Sequence, residues 1–157
     1  MRKRIVPPAE RVTPPVGQVW LNLEDLVEVE VTSEDPAHPV ESALLEGGTG
    51  GWRASGPGEQ TIRLLFEQPQ DLRRIRLEFD EPDVERTQEY VLRWSADGGR
   101  SVHEVVRQQW NFSPQGATRQ TEDHNVELNG VTMLELSIVP DISRADAPAS
   151  LAQWRLA

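Results

Sequence analysis

GGTGGWRASGPGEQTIRLLFEQPQDLRRIRLEF, residues 47–79, is the stretch of sequence that decides the fold. A glycine-rich loop that carries Trp52 leads into residues 60–67, where large apolar side chains alternate with polar ones. Such a period of two is typical of a half-buried strand. Residues 68–71 contain a proline and predict a short connection, and residues 72–79 then repeat the alternation. We therefore predict two adjacent strands here, with further strands laid beside them.

The same alternation recurs on both sides of this pair, while amphipathic helical patterns are almost absent. It is found in residues 27–31, 89–95, 126–128 and 134–138, and the apolar residues of 102–110 and 151–156 predict two more strands. Asp97-Gly98 and Asn129-Gly130 are typical of tight hairpin turns, and residues 38–45 are the one place where we expect a helical turn. About eight short strands joined by turns predict an all-β fold, an antiparallel β-sandwich or barrel.

The length of 157 residues corresponds to one domain with a core of its own. Residues 1–19 contain four prolines and few large apolar side chains, which disfavours regular structure. We interpret them as an extended N-terminal arm, and residues 20–157 as a single β-sandwich domain. Trp20, Leu21 and Leu23 are the first residues that we expect to contact the domain.

Composition and charge limit which cellular compartment and which binding partners we expect. The chain has no cysteine, so it has neither disulfides nor thiolate metal sites. Sixteen basic and twenty-six acidic residues give a net charge of −10, which opposes binding to nucleic acid and to anionic membranes. No apolar stretch is long enough to span a membrane, and prolines interrupt the basic N-terminus where a signal peptide needs a continuous apolar run. These features predict a cytoplasmic protein.

An ordered set of short motifs carries a family resemblance. The set consists of GWRAS (51–55), QTIRL (60–64), IRLEF (75–79), YVLRWSADG (90–98) and LAQWRL (151–156). From about Asp25 to the C-terminus, their order and spacing resemble the discoidin, or coagulation-factor type C, family. The resemblance implies a galactose-binding-like β-sandwich of jelly-roll type, with a ligand face made by loops and no catalytic machinery. Members of this family bind carbohydrates, lipids or proteins, so the fold alone does not decide the function.

The resemblance also raises the question of a structural calcium ion. Many members bind calcium beside an aspartate that precedes the tryptophan, together with a glutamate of the last strand. The matching positions here are Glu46, Thr49 and Gln153. Calcium prefers several hard oxygen ligands, usually with more than one carboxylate, and Gln153 removes a charge. We therefore predict that the protein has no metal or other cofactor.

Residues of the types that hold sugars cluster in two stretches. Sugars are bound by a flat aromatic ring together with planar hydrogen-bonding groups in a concave site. We interpret residues 111–124 as a long polar loop, and the predicted ligand-binding residues are Trp110, Asn111, Arg119 and His124 there, with Trp52 and Arg53 at the first loop. The alternative for Trp52 and Trp110 is a place in the core at the end of a strand. Trp94 and Trp154 alternate with apolar residues and are predicted to be core.

No enzymatic motif is present. The phosphate loop, zinc spacings and nucleophile elbow are all absent, and His38, His103 and His124 are scattered along the sequence. We therefore predict a non-enzymatic binding module for a carbohydrate. The alternative is an intracellular module that binds a protein partner through the same scaffold. The abundant carboxylates leave a hydrolase as a third hypothesis.

Overall fold

Eight strands make up most of residues 20–157, the part of the chain that the computed structural model describes. They are β1 (Val27–Val31), β2 (Trp52–Pro57), β3 (Gln60–Asp80), β4 (Arg86–Ser95), β5 (His103–Phe112), β6 (Arg119–Val139), β7 (Pro148–Leu151) and β8 (Gln153–Leu156). A 3-10 turn (Leu23–Asp25) precedes β1, and the helix α1 (Glu41–Leu44) confirms the helical turn predicted before the glycines. The predicted N-terminal arm lies outside the described residues.

Two long strands take part in both layers of the structure. All the pairings are antiparallel, and the main sheet has the order β1-β3-β6-β4-β5, with β8 on the second half of β3. Residues 60–65 of β3 pair with residues 133–138 of β6, whereas residues 72–80 pair with 119–128. The second half of β3 packs across the core against β4, since the rings of Phe79 and Tyr90 stack with centroids 5.3 Å apart. This antiparallel β-sandwich of jelly-roll type confirms the predicted fold class.

The prediction of a hairpin turn at Asn129-Gly130 is wrong, because β6 continues through these two residues. Gln70 pairs with Val131 and Leu72 pairs with Leu128, so one residue of β3 faces two residues of β6. This arrangement is a β-bulge, which bends a strand and increases its twist. Gly130 has a φ of 66°, the same left-handed conformation that a tight hairpin turn would use.

The predicted connection at residues 68–71 is also part of a continuous strand. β3 passes through Pro69 with shifts of register between Leu65 and Leu72. The Asp71 carboxylate accepts a hydrogen bond of 2.9 Å from the Gly130 N–H, which ties the two strands together at their bend. A proline is tolerated at such an irregularity because its missing N–H breaks no ladder bond there.

The turn predicted at Asp97-Gly98 is confirmed. β4 ends at Ser95 and β5 begins at His103, with positive φ at Gly98 and Gly99. The Asp97 carboxylate accepts a hydrogen bond of 2.6 Å from the Ser95 hydroxyl. This bond and those from residues 100 and 101 lower the pKa of Asp97 to about 2.

Apolar side chains fill the space between the layers as the alternation predicts. Ile62 and Leu64 in the first half of β3 and Leu77 in the second half are completely buried. Trp154 is buried as predicted, but Trp94 is only partly buried at the edge of the core, where its ring lies 5.5 Å from that of His103. The cause is its place near the end of β4, where the opposite layer no longer covers it fully.

The start of the described chain is attached to the domain where the sequence predicts it. Leu23 is buried, and the Leu21 N–H donates to the Leu156 carbonyl at 2.8 Å. The Arg74 guanidinium lies over the Trp20 ring, 4.7 Å from its centroid. Within residues 20–157, no helix is long and apolar enough to cross a membrane.

Replacing Gly130 by alanine tests the bulge. An L-residue in the left-handed conformation costs about 1–2 kcal/mol, so Gly130→Ala should lower the free energy of unfolding by that amount. Gly56→Ala is the matched control, because both glycines have open space where a Cβ would stand and only Gly130 has a positive φ. Urea unfolding of the two variants provides the measurement. Equal stabilities would contradict the role given to the bulge.

Candidate functional site

Connections from different parts of the chain meet at one end of the sandwich. The Glu81 N–H, after β3, donates to the Thr118 carbonyl, before β6, at 2.7 Å. The Gly58 N–H, after β2, donates to the Ala147 carbonyl, before β7, at 3.2 Å. These backbone bonds hold the loops against one another, so the end of the sandwich has a defined surface.

A cleft of about 340 Å³ opens at this end. One wall is the start of β2 with Arg53, and the other is the end of β3 with Glu78 and Asp80 and the start of β6 with Arg119. The backbone between β7 and β8 also lines it. The remaining lining residues are Gly48, Gly50, Gly51, Trp52, Pro82, Ser150, Leu151, Ala152 and Gln153.

Gly51 lets β2 approach the connection between β7 and β8. Its φ is 64°, and a Cβ at this position would stand 2.4 Å from the Leu151 carbonyl oxygen. No larger residue fits there without moving the backbone. The glycines before Trp52 therefore bring the two-stranded sheet of β2 and β7 close to β8, which shapes this side of the cleft.

The cleft contains charges of both signs. Neither Arg53 nor Arg119 forms an ion pair with another residue in the described range 20–157. Asp80 is the cross-strand partner of Arg119, and the Glu78 carboxylate lies 4.0 Å from the Arg76 guanidinium. The cleft therefore presents guanidinium donors next to carboxylate acceptors.

Trp52 contributes to the floor of the cleft and not to its surface. Its side chain is only 1% exposed, and its indole N–H donates to the Ser33 carbonyl at 3.0 Å. The alternative of a core residue is therefore confirmed for Trp52. An indole with no exposed face cannot stack on a sugar ring.

A buried arginine, Arg86, contacts residues next to the cleft. The Arg86 guanidinium is buried, and it donates to the Pro148 carbonyl at 2.7 Å and to the Ser150 hydroxyl at 3.4 Å. It also lies 3.5 Å from the Glu81 carboxylate and over the Phe112 ring. Burial lowers the pKa of Arg86, and Glu81 opposes this effect. Arg86 thus joins β7 to the loop after β3.

The predicted loop at residues 111–124 is wrong for most of its length, because β5 continues to Phe112 and β6 begins at Arg119. Arg119 and His124 are an odd number of positions apart on one strand, so their side chains point to opposite faces. The half-buried His124 ring is bonded to the Tyr90 hydroxyl through Nε2 at 2.9 Å. Burial is the main cause of the raised pKa of Tyr90.

Trp110 and Asn111 lie on the edge strand β5, where consecutive side chains also point to opposite faces. Trp110 is 36% exposed, so the alternative that placed it in the core is wrong. The Asn111 amide oxygen accepts a hydrogen bond from the Thr87 hydroxyl. The cleft therefore brings together Trp52, Arg53 and Arg119 of the predicted set, and leaves Trp110, Asn111 and His124 outside it.

Sequence reasoning missed Glu78, Asp80 and Arg86. A signal existed for the first two, since they alternate with the buried Leu77 and Phe79 and must lie on the outer face of β3. No local pattern in the sequence indicates that β3 and β2 face each other across a cleft.

A buried guanidinium stands beside the residues that matched the family's calcium site. Arg155 is 7% exposed and donates to the carbonyls of Ala43, at 2.7 Å, and Leu45, at 3.1 Å. Burial lowers the pKa of Arg155, and Glu46 opposes this effect. We propose that the Arg155 guanidinium supplies a positive charge at the carbonyls just before Glu46 and Thr49. A positive charge there disfavours a cation, in agreement with the prediction that no calcium binds.

Arg155→Met tests this proposal, because methionine keeps much of the length but leaves the carbonyls of Ala43 and Leu45 without their donor. Hydrogen bonds to charged groups contribute about 1.5–3 kcal/mol, so the free energy of unfolding should fall by at least that amount in urea titrations. Arg100→Met, at an exposed position of the turn after β4, should be neutral.

The melting temperature of the unaltered protein should be the same in calcium and in chelator. A ligand that binds only the folded state must raise stability, so a higher melting temperature in calcium would overturn the proposal.

Comparison with known proteins finds similar structures but no match by sequence. No protein-family model matches the chain, and no curated protein matches it. The family 32 carbohydrate-binding module of AlyQ, solved with 4,5-unsaturated mannuronic acid, has a TM-score of 0.61 and 17% identity, over 85% of this chain and 95% of that one. The family 32 module of NanJ from Clostridium perfringens, solved with galactose, has a TM-score of 0.60 and 14% identity, over 83% and 92%.

Two further solved structures are similar. A pectin-binding carbohydrate-binding module has a TM-score of 0.60 and 14% identity, and the match covers 83% of this chain and 89% of the other. A Ruminococcus gnavus fucosidase has a TM-score of 0.64 and 8% identity, but the match covers only 26% of the enzyme. At such identities the likeness establishes the fold alone. The chain therefore has the β-sandwich fold of these carbohydrate-binding modules.

Proposed function

We propose that the chain is a non-enzymatic module that binds a carbohydrate in the cleft between β2 and the ends of β3 and β6. One observation carries the proposal: hydrogen-bond donors and acceptors converge on one concave surface. Arg53 and Arg119 can only donate, while ionised Glu78 and Asp80 can only accept. Sugar hydroxyls both donate and accept, so a ring in the cleft can satisfy both kinds of group.

The position of the cleft supports this function. Loops at one end of a rigid β-scaffold commonly carry binding residues, and here backbone hydrogen bonds and buried Arg86 fix those loops. The similar structures support it as well, since they include modules solved with galactose and with a mannuronic acid derivative. These modules match over more than nine-tenths of their own length.

A second candidate function is the binding of a protein partner, and Trp110 favours it. This residue is exposed on β5, which is the last strand of the main sheet and has no strand on its outer side among residues 20–157. Extended peptides bind to such edges by adding a strand. Tryptophan is also enriched among the residues that dominate protein interfaces.

The carbohydrate function is tested by a glycan array followed by calorimetric titration of the sugars retained. Arg53→Ala and Arg119→Ala should each weaken binding about tenfold or more, because a charge-assisted hydrogen bond is lost. Trp110→Ala is the matched control outside the cleft and should bind as the unaltered protein does. Thin-layer chromatography of the same sugars after incubation should show no cleavage. Retention of no sugar class on the array would reject the proposal.

The second candidate is tested by affinity capture from a lysate of the source cells. One protein retained in a fixed ratio, and lost with Trp110→Ala but kept with Arg119→Ala, would support the edge of β5 as its site. Loss with Arg119→Ala alone would place the partner in the cleft.

A further inference from the structure

We infer that the cleft selects an acidic sugar, a ring that carries one carboxylate together with free hydroxyls, such as a uronic acid. This inference rests on the proposed carbohydrate function and names the class of ligand. It follows from which interactions the cleft offers and which it lacks.

The cleft lacks an aromatic surface for stacking. Trp52 is the aromatic residue among those that line it, and its ring is buried beneath the surface. Neutral hexoses bind to proteins largely through their apolar face against an exposed aromatic ring. Affinity in this cleft must therefore come from polar contacts, which are strongest when one partner is charged.

Two guanidinium groups from strands that are distant in the sequence line the cleft. Arg53 belongs to β2 and Arg119 to β6, and neither is in an ion pair within residues 20–157. A guanidinium binds a carboxylate through two parallel hydrogen bonds, a geometry that a hydroxyl cannot match.

The carboxylates of the cleft limit how much negative charge the ligand can carry. Glu78 and Asp80 lie on the same wall as Arg119. Their carboxylate oxygens accept hydrogen bonds and do not donate them, so on a uronic acid their partners are the hydroxyl groups. A heavily sulfated or phosphorylated glycan would meet repulsion from these groups and from the net charge of −10. A ring with a single carboxylate can bind a guanidinium group and meets the least repulsion from Glu78 and Asp80.

Small residues allow the ring to lie against the backbone. Gly50 and Gly51 line the cleft with positive φ values of 82° and 64°, and they present no side chain to the ligand. A six-membered ring can thus reach the walls where the guanidinium groups stand. The space of about 340 Å³ is at the lower end of the range for small-molecule sites, which fits one or two sugar rings.

The test uses a matched pair of sugars, galacturonic acid and galactose, which differ only in the oxidation of carbon 6. Calorimetric titration of the full chain should show galacturonic acid bound about tenfold or more tightly than galactose. Glucuronic acid against glucose repeats the comparison in a second ring configuration. Raising the salt concentration from 20 to 200 mM should weaken the binding of the uronic acids and leave the affinity for the neutral sugars unchanged.

Substitutions identify the groups responsible. Arg53→Gln and Arg119→Gln keep hydrogen-bonding capacity but remove the charge, and at least one should bring the affinity for galacturonic acid down to that for galactose. Arg100→Gln, in the exposed turn after β4, is the control and should change nothing. Sodium acetate at the same ionic strength tests for simple anion binding and should not displace the uronic acid.

The outcomes separate this inference from the function on which it rests. If galactose binds as tightly as galacturonic acid and both are lost with Arg119→Ala, the carbohydrate function stands and the acidic class is overturned. Uronic acid binding that persists in both glutamine variants, or that acetate abolishes, also overturns it. Binding of no sugar, charged or neutral, rejects the carbohydrate function and the inference together.

Discussion

The bend shared by β3 and β6 is the constraint on which the rest of the structure depends. Each strand is 21 residues long and passes from one layer to the other, and the bulge at Gly130 opposite Asp71 marks the bend. Because both strands turn back together, the end of β3 and the start of β6 lie at the same end of the sandwich as the starts of β3 and β4. Asp80 and Arg119 reach the cleft for this reason.

Two buried arginines hold the ends of the strands in place. Arg86 and Arg155 are each less than a tenth exposed, and burial lowers the pKa of both. A buried charge is unfavourable unless hydrogen bonds compensate it, and here backbone carbonyls of Pro148, Ala43 and Leu45 do so. A guanidinium can donate to several carbonyls at once, so Arg86 holds β7 and Arg155 holds the end of α1. Arg86 also donates to the hydroxyl of Ser150, which lines the cleft, and so helps to set that wall before any ligand binds.

The sequence predicted the faces of the strands well and the connections between them less well. The alternation at Ile62, Leu64 and Leu77 depends only on the period of a strand, so burial followed from it. Asn129-Gly130 was open to two interpretations, because a hairpin turn and a bulge both use a glycine with positive φ. Of the predicted site, Arg53 and Arg119 meet in one cleft, but His124 does not. That outcome depends on where β6 begins, and the polar residues from 113 to 124 carry no alternation that marks the start of a strand.

The excess of negative charge on the chain does not prevent the cleft from binding an anion. At physiological ionic strength, the interaction between exposed charges is screened over roughly 8 Å, so carboxylates on distant faces contribute little at the cleft. The charges that matter are those on its walls, where two arginines stand beside two carboxylates. The carboxylates of Glu78 and Asp80 repel a polyanion more strongly than a ring with one carboxylate. Attraction to the two arginines together with repulsion from these carboxylates therefore favours ligands of low charge.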